Sequence, residues 1–130
     1  MTKEQEQFIN ILQGFVQNKE ILLPPSADLN YVFHLGEIHS LSAVVCYALN
    51  PQIINGKIKQ SQITKDLQSL LFSTITLQTQ RHNAFEKLLD KISSAKIKTV
   101  LMKGIVLNKY YADPMVRTFG DIDFIVEPQS

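Results

Sequence analysis

Apolar residues recur at intervals of three and four along most of the chain, and give way to strict alternation near its end. In residues 2 to 18, Phe8, Ile11, Leu12, Phe15 and Val16 fall on one stripe, which predicts an amphipathic helix. Thr2, with Gln5 three residues on, has the form of a capping box at its start. Pro24-Pro25 closes the connection that follows. Ser26 or Asp28 then caps a second helix carrying Leu29, Val32, Phe33 and Leu35. Gly36 through Ser40 is expected to interrupt it. LSAVVCYAL predicts a short, strongly apolar third helix ending near Asn50-Pro51, and Asn55-Gly56 signals a turn.

From Ser61 to Ser94 there is neither glycine nor proline. Ile63, Leu67, Leu70, Leu71, Thr74, Leu77, Arg81, Phe85, Leu88, Leu89 and Ile92 recur at threes and fours, so one long helix is expected over 61–94. A helix of that length either extends beyond the rest of a small domain or bends, with the Thr-rich STITLQT stretch as the place for it. After Ser93-Ser94 the pattern changes. Ile97 to Met102 is a β-favouring run that leads into a glycine, Ile105 to Tyr111 allows two helical turns, and Asp113-Pro114 breaks them. MVRTFG reads as a loop and DIDFIV alternates as a strand. The fold class is therefore α+β: a helical region of about four helices over 1–95, then the first strands of an α/β core over 96–130.

Composition narrows the function classes. With 130 residues, 45% hydrophobic and 19% charged, the chain can bury a core and is one domain or one piece of a larger one. Its formal charge of +1 gives no global field for nucleic acid or acidic lipid. The polar positions of the long helix are Gln, Lys, Asp and Thr, so nucleic-acid binding is not indicated there either. Cys46, the single cysteine, lies in an apolar run and reads as a buried structural thiol. The N-terminus lacks a signal-peptide layout, and no apolar run reaches the ~20 residues of a membrane span. A cytoplasmic protein with no membrane partner is the expectation.

The costly residues are Asp121 and Asp123. On a strand they point to the same face, ~7 Å apart, and repel unless a positive group sits beside them. Mg²⁺ resolves this, since it takes one or two protein carboxylates and completes its shell with water and phosphate oxygens. Upstream, Lys103-Gly104 ends a strand and opens a helix. Free N–H groups at such a point can hold a phosphate, and glycine allows close approach. The alternatives are a solvated strand edge for the aspartates and a plain strand-to-helix turn for Lys103-Gly104. A calcium loop does not fit, because Ile125 takes the third acidic position. His34, His39 and His82 have no metal-ligand spacing and read as core or surface residues. Tyr110 or Tyr111 packs in a core rather than stacking on a base, and Arg81 snorkels or pairs locally.

Together the segments read LMKGIVLNKYYADPMVRTFGDIDFIV, which resembles the polymerase-β-type nucleotidyltransferase superfamily. It is most similar to the bacterial branch called uncharacterised nucleotidyltransferases. The residues that carry the resemblance are Leu101, Lys103, Gly104, Leu107, Tyr110, Tyr111, Asp113, Pro114, Arg117 and Gly120 to Asp123. His39 before its apolar run matches a histidine of that branch more loosely.

The resemblance implies a bacterial enzyme that transfers a nucleoside monophosphate from an NTP, ATP first, to an unassigned acceptor. Asp121 and Asp123 would carry Mg²⁺ or Mn²⁺ as the catalytic and metal residues. Lys103, Gly104 and Arg117 would bind the nucleotide. Lys103 departs from the small residue usual in the superfamily, so it supplies a charge or alters the approach of the nucleotide. The superfamily's third carboxylate comes from a later strand, and Glu127 lies too near the pair to be it. The resemblance therefore makes the chain an N-terminal portion of a nucleotidyltransferase, inactive alone, as a truncated chain, a truncated gene or a small degenerate member. The alternative is a helical interaction module with a degenerate remnant. Its sheet edge would be covered by a second copy or by a missing C-terminal region.

Overall fold

A computed structural model describes residues 1–102, 113, 116 and 123–128. Four helices come first: α1 (Lys3–Val16), α2 (Leu29–Ile38), α3 (Ser42–Ile54) and α4 (Gln62–Ser94). Two strands follow, β1 (Thr99–Met102) and β2 (Asp123–Val126), paired antiparallel. The architecture is α+β and mostly helical. No helix among the described residues is long and apolar enough to cross a membrane.

The chain divides into two compact units, Met1–Thr74 and Ile75–Ser130. In the first, α1, α2 and α3 meet around Phe8, Ile11, Val32, Leu35, Val45 and Leu49. The capping box is present in full: Thr2 Oγ1 accepts from the Gln5 N–H and Gln5 Oε1 from the Thr2 N–H. Asp28, rather than Ser26, caps α2 by accepting from the Tyr31 N–H at 3.2 Å. Leu67 and Leu71 on the first half of α4 are buried, and the Gln68 amide donates to Asn50 Oδ1 at 3.2 Å.

Cys46 is buried, and desolvation pushes its thiol up to about 12. Gln52 is also fully buried. Its Oε1 accepts from the Leu23 N–H at 2.9 Å and its Nε2 donates to the Ile21 carbonyl at 2.8 Å. One side chain thus fixes the connection that leads into Pro24-Pro25.

One expectation for this unit holds and one is corrected. The interruption falls within 36–40, but not at Gly36 itself: α2 runs on to Ile38 and the break is at Ser40, with φ of 56°. The glycine serves close packing instead, because a Cβ there would lie 3.2 Å from Val45 Cγ2 of α3. Nor does α3 stop near Pro51. It continues to Ile54, although proline lacks the N–H for one ladder bond. The extra turn carries the buried Gln52 and Ile53, whose bonding and burial offset that loss.

In the second unit, α4 continues unbroken to Ser94 as expected, but its stripe is partly displaced. Leu77 and Leu88 are exposed, and the buried residues there are Gln78 and Phe85. Counting turns of 3.6 residues from Leu71 leads through 74–75, 78, 82, 85 and 89, with 77 and 88 off that line. The first strand is shorter than the expected Ile97–Met102. The Ile97 N–H is bonded to the Ile92 carbonyl at 3.2 Å, so it closes α4 instead of opening β1.

Candidate functional site

The strands β1 and β2 consist mainly of β-branched and aromatic or aliphatic residues, Thr-Val-Leu-Met against Asp-Phe-Ile-Val. Their register is Thr99 with Val126, Val100 with Ile125, Leu101 with Phe124, and Met102 with Asp123. Asp123 therefore stands half-buried at the start of β2, opposite the last residue of β1. The next residues in the chain after Met102 are Lys103 and Gly104. Strand pairing thus brings one carboxylate of the D-x-D to the end of the sheet where the K-G segment departs.

Asp121, Lys103, Gly104 and Arg117 lie outside the described residues, as do the expected helix Ile105–Tyr111 and the residues of the MVRTFG loop other than Val116. Val116 is buried, and its N–H donates to the Asp113 carbonyl at 3.2 Å, a turn just after the break at Asp113-Pro114.

Glu127 sits at the other end of the hairpin. Its N–H donates to the Lys98 carbonyl at 3.0 Å, and its exposed carboxylate lies 3.7 Å from Lys98 Nζ. Four residues separate it from Asp123, ~13 Å along a strand, so the two carboxylates cannot share an ion. His34 of α2 and His39, the cap that follows it, are on the surface: His34 is 3.8 Å from Glu37, and His39 stacks on Phe8 with ring centroids 5.8 Å apart.

One residue escaped the sequence reading. Gln78 is 1% exposed, and among the described residues neither its Oε1 nor its Nε2 has a hydrogen-bond partner. Arg81 and His82, half-buried on the next turn of α4, each have partners. A polar residue in step with Leu71 and Phe85 was the available signal.

No curated protein and no solved structure matches the chain. A family model described as "Uncharacterised nucleotidyltransferase" matches residues 25–130, from the start of the second helical segment through the D-x-D strand. The chain belongs to the family of uncharacterised nucleotidyltransferases.

Proposed function

We propose that this chain carries the metal- and nucleotide-binding part of a nucleotidyltransferase that acts on an NTP, with ATP the first choice. Asp121 and Asp123 hold a divalent cation, Mg²⁺ or Mn²⁺. Gly104 lets the phosphates approach the backbone, and Lys103 and Arg117 neutralise their charge. The observation that carries this reading is the register, which sets Asp123 opposite Met102, one residue before Lys103. The donor chemistry fits a hard cation: a carboxylate, only half-buried, at the mouth of a strand pair. Such an ion, when bound, supplies charge stabilisation between carboxylates and phosphate oxygens. The acceptor of the nucleotidyl group is left open by this reading.

Calorimetry with Mg·ATP tests it. The wild-type chain binds, and Asp121→Asn with Asp123→Asn abolishes binding. Equal binding by the double variant, or none by the wild type, would overturn the proposal.

One observation favours a second reading, an interaction module whose sheet is covered by another chain. Val100 and Ile125 form a cross-strand pair yet are 62% and 57% exposed. Under that reading the chain sediments as a dimer, and Val100→Lys with Ile125→Glu makes it a monomer. A wild-type monomer at all concentrations would exclude it.

A further inference from the structure

We draw no further inference here: the strongest candidate, the open groove that Phe8 and Ile9 of α1 form with Leu35 and His39 at the end of α2, is an unpartnered apolar face, and nothing in the structure shows what covers it.

Discussion

Leu23 and Ile21 would each have a stranded backbone group without Gln52, whose amide answers the N–H of one and the carbonyl of the other. Gln52→Leu keeps the side chain's bulk and removes both bonds, so it should cost roughly 2–4 kcal/mol in urea unfolding. Cys46 gives a pH signature. The native fold holds the thiol proton up to about 12, against an ordinary value of 9.0. Between these values the unfolded chain releases the proton and the native chain retains it. The thiol's contribution is therefore complete below about 9 and is lost as pH rises toward 12. Wild type should lose stability more steeply over that window than Cys46→Ala, which shares every other titrating group. In the folded protein at pH 8, iodoacetamide should label Cys46 only as fast as the protein unfolds.

Each helix ends with a residue of positive φ: Asn18 after α1, Ser40 after α2, Gly56 after α3 and Lys96 after α4. After α1, α2 and α4 the two following N–H groups turn back onto the last turn, as with Lys96 to Ser93 and Ile97 to Ile92. Only Gly56 is the residue such a closure favours. Ser40→Gly and Lys96→Gly should each stabilise by about 1 kcal/mol, with Asn18→Gly near neutral because asparagine tolerates this conformation. Paired denaturant curves check this. The same closures show where the sequence was legible. Helix starts were readable because Thr2 and Asp28 announce them by side-chain chemistry. The ends of α2 and α4 were legible from the interruption over 36–40 and the loss of the threes-and-fours pattern after Ser94, but the left-handed closures at Ser40 and Lys96 were not, since neither residue type signals such a backbone. Pro51 misled for a related reason: its local penalty was visible, and the distant bonds of Gln52 that outweigh it were not. At the site, Asp123 stood out because a carboxylate on an apolar strand is costly. The burial of Gln78 on α4 did not stand out, because a glutamine on a helix is ordinary until its burial is known.

At the scale of the molecule, a helical unit with its own core precedes a unit holding the second half of α4 and the two-stranded sheet. If the proposed function holds, ligand binding should stabilise the chain. Mg·ATP at about 100 times its Kd should add about 2.7 kcal/mol to unfolding. The gain should vanish in Asp121→Asn with Asp123→Asn, as read by thermal unfolding with and without nucleotide. The Lys98–Glu127 contact gains a meaning of its own from this. In a two-stranded ladder, a slip by one residue sends every side chain to the opposite face. The Glu127 N–H to Lys98 carbonyl bond, with the exposed ion pair beside it, favours the register that sets Asp123 opposite Met102, so under the proposed function metal affinity would be a gauge of strand alignment. Charge reversal at Glu127, far from any phosphate, would then be read out as a weakened grip on the ion.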